Sequence, residues 1–190
     1  ALINLGHLQE LQGNYFGAAD QYKKAIAIEP EDDAPRFCLA VLYDHHDMFD
    51  EAIEQYLSII KLNPAHQKSM FNLGRIYFQL GNYTDALEQF QTVLELDPNN
   101  ADAWNNIGSV YEAIDDLPNA LAAYRKSLSL NPFHEDTNLN LANVQYSLYQ
   151  VSPDKTKAND IIRRLQFVLS LNPHNQKVIK LLSKMENLIQ

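Results

Sequence analysis

Two neighbouring stretches decide the reading of this chain: MFNLGRIYFQLGNYTDALEQFQTVLELDP, residues 70–98, and WNNIGSVYEAIDDLPNALAAYRKSLSLNP, residues 104–132. At an offset of 34, Gly74 falls on Gly108, Tyr77 on Tyr111, Ala86 on Ala120, Phe90 on Tyr124 and Pro98 on Pro132. The register runs outward in both directions. Pro30, Pro64, Pro98 and Pro132 are spaced by 34, and Pro173 follows 41 later. Each stands behind an acid or amide: Glu29, Asn63, Asp97, Asn131 and Asn172. Proline lacks an N–H and restricts the residue before it, so each one stops a helix. Asn or Asp ahead of it suits a helix exit or a turn.

Small and large residues keep the same beat. A small residue recurs at Gly6, Ala40, Gly74, Gly108 and Ala142, and a second at Ala18, Ala52, Ala86 and Ala120. An aromatic follows the second by four residues, at Tyr22, Tyr56, Phe90 and Tyr124. Small residues let two helices approach closely, and rings fill the space beside them. Between them, Gly13-Asn14, Asp47-Met48, Gly81-Asn82 and Asp115-Asp116 read as inter-helix turns, with glycine supplying a left-handed exit. Pro118 suits the first turn of its helix.

Trp104, Ile107, Gly108, Tyr111, Ala120, Tyr124 and Pro132 resemble the tetratricopeptide pattern W-x2-L-G-x2-Y, A-x3-F, P, which is about 34 residues long. Met70, Leu73, Gly74, Tyr77, Ala86, Phe90 and Pro98 resemble it again. The resemblance covers essentially the whole chain. It implies an all-α fold: a right-handed superhelical solenoid of helix-turn-helix repeats. The expected repeats are about 1–32, 33–66, 67–100, 101–134 and 135–175, forming a single array, with a C-terminal capping helix at about 176–190.

The fifth repeat carries a 7-residue insertion. Seven residues are nearly two helical turns, so a helix can absorb them without rotating its apolar face. Ser152 as N-cap and Pro153 at the first position predict a second helix from about Pro153 to Leu171, projecting two turns; the alternative is a loop over 150–158. Ile161 stands where a small residue is expected, which predicts looser or shifted packing against Ala142. Val178, Leu181, Leu182, Met185 and Leu188 form one helical stripe, the mark of a closing helix. The chain opens at Ala1 without methionine or leader, and its first helix has no cap. The expectation is therefore a piece of a longer or processed protein, with more sequence preceding it.

Charge and composition bound the partners. The 190 residues carry a formal net charge of −9, which repels phosphate backbones and disfavours nucleic acid. The balance is uneven: residues 1–152 hold 21 acids and 8 bases, residues 153–190 hold 3 and 7. No apolar run is long enough to span a membrane. The lone Cys38 excludes an internal disulfide and fits a reducing compartment, so a cytoplasmic location is expected.

In the tetratricopeptide family, helix A residues line a concave groove. Carried over by register, the sixth repeat position reads Asn4, Cys38, Asn72, Asn106 and Asn140. A side-chain amide both donates and accepts, so it can pair with the backbone of an extended peptide of any sequence. This resembles the asparagine ladder of O-linked GlcNAc transferases, interrupted at Cys38. Replacing Asn72, Asn106 and Asn140 by alanine is expected to weaken peptide binding without unfolding the chain. Phe37, Phe71 and Phe78, beside Lys68 and Arg75, are the expected anchors. Asn105, Glu112, Asn143 and Tyr146 continue the surface. Lys177, Lys180 and Lys184 form a C-terminal basic patch suited to an acidic partner or to head-to-tail self-association. The family's chaperone clamp is incomplete: Lys68 is present, but Asn72 occupies the place of the required Arg.

Signs of chemistry are sparse. Asp44-His45-His46-Asp47 clusters metal-binding residue types, but adjacent histidines point apart on a helix. Cys38 has no base nearby in sequence and reads as a packed thiol. Phosphate loops and nucleophile elbows are absent. The expectation is a non-catalytic scaffold without cofactor or metal, binding a partner peptide. The alternatives are a substrate-recruiting arm of a larger enzyme such as a glycosyltransferase, or a self-assembling scaffold.

Overall fold

A computed structural model describes residues 1–189, and the last residue of the expected capping segment, Gln190, lies outside them. The described residues form eleven α-helices and no strand. They group into two compact units, described separately. The first, Ala1–Leu96, holds three hairpins: α1 (Leu2–Leu11) with α2 (Tyr15–Ile28), α3 (Asp33–His45) with α4 (Phe49–Leu62), and α5 (Gln67–Gln79) with α6 (Tyr83–Leu96). The second begins at Asp97. It holds α7 (Ala101–Ala113) with α8 (Leu117–Leu130), α9 (Glu135–Val151) with α10 (Lys155–Leu171), and α11 (Gln176–Ile189), which packs on α10.

The turns follow from their residues. Gly13 and Gly81 leave their helices with φ of 73° and 78°; Asp47 and Asp115 take the same left-handed step at 56° and 61°. Aspartate tolerates this region better than most side chains, though not as freely as glycine. Between hairpins, the side chains of Asn63, Asp97, Asn131 and Asn172 each accept a bond from the backbone N–H two residues on, at 3.0–3.3 Å. The prolines sit inside these Asx turns. Trp104, the only tryptophan, donates its indole N–H to the Pro98 carbonyl at 3.2 Å, tying the start of α7 to the preceding turn.

Each interior is built from the small–large pairing. Tyr22, Tyr56, Phe90 and Tyr124 are fully buried. Glycine is required beside three of these rings. A Cβ on Gly74 would lie 2.8 Å from Phe90, one on Gly108 2.5 Å from Tyr124, and one on Gly6 closer still to Tyr22.

The insertion is shared between two helices, which corrects the expectation of a single projecting one. α9 has 17 residues against 13 in α7, and α10 has 17 against 14 in α8. Ser152 is the C-cap of α9, and Asp154, not Ser152, caps α10. The physical reason is twofold. The Asp154 carboxylate accepts two amides, from Thr156 at 2.8 Å and Lys157 at 3.0 Å, which stabilises a later start. Lengthening both arms also gives the added apolar surface a partner: Tyr149 near the end of α9 and Ala158 near the start of α10 are buried in one cluster. A single lengthened helix would leave that surface in water.

The packing at Ile161 is not looser. Ile161 is 1% exposed and Ala142 0%, in the same cluster as Leu165. Leu165 takes the place of the aromatic ring, so the bulk lost there is restored at Ile161. In α11, Val178 and Met185 are fully buried and Leu181 and Leu182 partly so, while Leu188 remains 52% exposed.

Candidate partner-binding site

In the first unit, the expected surface residues meet on the α5 side and are partly engaged by their own fold. The Asn72 amide donates to the Tyr56 hydroxyl at 3.0 Å. Burial raises the pKa of that phenol, and the Asn72 bond opposes the shift. Arg75 reaches Asp44 at 3.9 Å, with its own side chain 45% exposed. Burial raises the Asp44 carboxyl above its usual range, and Arg75 counters this. Phe71 packs its edge on Phe90 at 5.8 Å, and Phe78 lies 5.8 Å from Tyr83. Phe37 sits between Tyr56 and His66. Lys68 is exposed.

In the second unit, the Asn105 side-chain oxygen accepts from Thr137 at 3.0 Å and from Asn140 at 3.2 Å. Asn106 and Asn143 are half-buried, and among the described residues neither side-chain amide has a hydrogen-bond partner. Tyr146 is 9% exposed, accepts from Gln150 at 3.0 Å, and lies under the Lys184 ammonium at 4.7 Å. Lys177 and Lys180 are exposed. The basic patch is thus split: Lys184 already engages a ring, while the other two face water.

Asn72 changes the mutational expectation. Its removal strips a partner from the hydroxyl of a fully buried tyrosine, which costs about 1–3 kcal/mol. Asn72→Ala therefore perturbs stability as well as any surface, whereas Asn106 carries no such duty.

A rule the sequence reading missed links the twelfth position of helix A to the buried ring of helix B. Glu10 accepts from the Tyr22 hydroxyl, and Glu112 accepts from the Tyr124 hydroxyl at 2.7 Å. Where the ring lacks a hydroxyl, at Phe90, the position holds Phe78; opposite Leu165 it holds Tyr146. A buried O–H needs an acceptor and a buried hydrocarbon does not. The second repeat departs from the rule: its twelfth position is Asp44, which reaches Arg75, and the Tyr56 hydroxyl is bonded by Asn72 instead. The Glu placed opposite a Tyr at 10 and 112 was the available signal in the sequence.

Cys38 meets a neighbour 31 residues away: its Sγ lies 3.4 Å from Nε2 of His7. Burial raises the thiol pKa, and the Glu10 and Asp32 charges add to it, so the group is held as thiol rather than nucleophilic thiolate. In the Asp44–Asp47 segment, Asp44 is committed to Arg75 and His46 packs on the Tyr15 ring at 4.0 Å. Among the described residues, no three His, Cys, Asp or Glu side chains converge on a metal-sized site, and no helix is long and apolar enough to cross a membrane.

Models of the tetratricopeptide repeat match residues 55–88 and 101–134, and a TPR-repeat model matches 74–115. Residues 55–134 are tetratricopeptide repeats. Among solved structures, it is similar to MamA from Desulfovibrio magneticus RS-1, with a TM-score of 0.77, 18% identity, and coverage of 92% of this chain and 95% of that one. It is also similar to YrrB, a TPR protein with an unusual peptide-binding site, at 0.71, 18%, 94% and 89%. A thermophilic TPR protein of Thermus thermophilus matches at 0.70, 17%, 97% and 96%. No curated protein sequence matches significantly. The tetratricopeptide assignment accounts for the all-helical fold and for a role in protein interaction, since such repeats generally serve as non-catalytic scaffolds.

Proposed function

We propose that this tetratricopeptide chain is a non-catalytic interaction module that holds an extended segment of a partner protein against its helix A surfaces. The observation that carries the reading is Asn106. It is half-buried, unpartnered among the described residues, and stands beside the Asn105–Asn140 pair. Its amide offers one acceptor and two donors to a peptide backbone. Asn143, one turn along from Asn140, offers the same. In the first unit, Asn72 retains an acceptor oxygen after donating to Tyr56. Phe71 and Phe78 supply apolar anchorage, and Lys68 and Arg75 supply charge nearby.

The test is a selection of binding peptides on the intact chain, followed by affinity measurement against Asn106→Ala and Asn143→Ala. A loss of about tenfold for the pair, with an unchanged melting curve, is expected from removing roughly 1–1.5 kcal/mol of hydrogen bonding. Equal affinity for wild type and variant would remove the asparagines from the site.

A further inference from the structure

The second unit carries a cleft away from these asparagines, of about 430 Å³, bounded by α8, the end of α9 and the start of α10. Gln145, on its wall, lies roughly 140° around α9 from Asn140. The volume falls within the range of about 300–1,000 Å³ typical of ligand clefts. Leu121, Leu148 and Val151 give it an apolar floor, and Val151 is 85% exposed. That exposure is a product of the insertion, since Val151 belongs to the added turn of α9.

The charges around this floor are mainly basic. Arg125 and Lys157 line the cleft and are exposed. Among the described residues, neither forms a salt bridge; Lys157 Nζ reaches the Ser152 carbonyl at 3.4 Å, and the nearby Asp154 carboxylate, spent on capping α10, feels its charge. The one acid in the lining, Asp160, lies 3.6 Å from Arg163 and is partly neutralised by it. Arg164 sits close by, bonded through Nη1 to Asn138 at 2.8 Å and through Nε to Gln145 at 3.3 Å. Its pKa is lowered by burial and then by the like charge of Arg125. Two guanidinium groups thus share one corner without a carboxylate bonded to either, in a chain of net charge −9.

We infer that this cleft is a second docking site, which takes an acidic segment of a partner protein carrying one leucine-sized side chain between carboxylates. The apolar side chain covers Leu121, Leu148 and Val151. The flanking carboxylates meet Arg125 on one side and Lys157 on the other. Charge complementarity selects the occupant: an apolar segment alone leaves both cations unpaired, and a basic one is repelled. Both cations are exposed, so the contact weakens with salt over a Debye length of about 10 Å at 0.1 M.

The test uses a fluorescent probe peptide, Asp-Glu-Leu-Glu-Asp with blocked ends, titrated with the whole chain and followed by anisotropy. Controls are the amide peptide Asn-Gln-Leu-Gln-Asn and a peptide with glycine in place of leucine. Saturable binding of the acidic peptide at low salt is expected. Arg125→Glu with Lys157→Glu should lower it at least about tenfold, and Val151→Asp should lower it about fivefold. Asn106→Ala with Asn143→Ala should leave it unchanged, which separates this site from the helix A surface. Substitutions at these exposed positions should leave the melting curve intact. The inference is overturned by any of four results: no saturable binding, equal binding of the amide peptide, unchanged binding in the charge-reversed variant, or concentration-dependent self-association that occupies the cleft in place of the peptide.

Discussion

The hairpins α7–α8 and α9–α10 occupy the same unit and solve the same packing problem differently. In the first, a glycine at 108 faces Tyr124, whose hydroxyl is bonded to Glu112 and Ser109. In the second, Ala142 shares its cluster with Leu165 and Ile161, and no buried hydroxyl replaces that of Tyr124. The first hairpin depends on one ring, one missing Cβ and one acceptor. The second spreads the same bulk over two aliphatic side chains and needs no polar partner there. Interiors thus constrain the total volume more tightly than its assignment to positions.

The largest expected effect breaks the first solution outright. Tyr124→Ala should cost about 3–5 kcal/mol in denaturant unfolding, through the cavity left at a fully buried site. Gly108→Ala, forcing a Cβ onto the ring, should cost about 1–3 kcal/mol. Placed on a Tyr124→Leu background, the same glycine change should cost markedly less, because the pair then imitates Ala142 and Leu165. A double-mutant cycle measures the coupling; strict additivity would contradict the volume-exchange account. By contrast, Ala142→Gly should cost only about 1 kcal/mol, the ordinary helix penalty.

A smaller, local effect concerns the caps. Hydrogen bonds from the amide of Lys157, and then of Thr156, hold the Asp154 carboxyl below its usual pKa. A depressed folded-state pKa contributes stability above the unfolded value of about 3.9, and that stability is lost as pH falls through the folded value. Acidification should therefore fray the first turn of α10. The protection of the Thr156 and Lys157 amides relative to their intrinsic exchange rates, followed from pH 6 downward, should fall in wild type and already be low in Asp154→Ala.

The smallest effect is a gain. Asp115 adopts a positive φ, and no residue of the α9–α10 turn does. Asp115→Gly should raise the stability of the α7–α8 hairpin by a few tenths of a kcal/mol to about 1 kcal/mol. A matching thermal shift would confirm that the two hairpins turn by different backbone routes.

Much of the fold was legible because helix stops and small–large pairs are local marks. Asn63-Pro64 and Asn131-Pro132 announce their turns within two residues. The division of the inserted segment was not legible. Seven residues preserve helical phase wherever they are placed, so periodicity alone cannot apportion them between α9 and α10. The role of Asn72 was hidden because Tyr56 comes from another hairpin, 16 residues away. The contact of Cys38 with His7 is equally non-local. The cleft beside Arg125 was missed because its three walls come from three helices, and each cation alone resembles any solvated surface charge.

The solitary indole at Trp104 gives this molecule a built-in optical gauge. Its N–H is anchored to the Pro98 carbonyl, so its emission responds to wetting of that one corner, while far-ultraviolet dichroism averages over all the helices. Quenching by acrylamide thus reads the opening of a single joint in the chain, without any label being introduced.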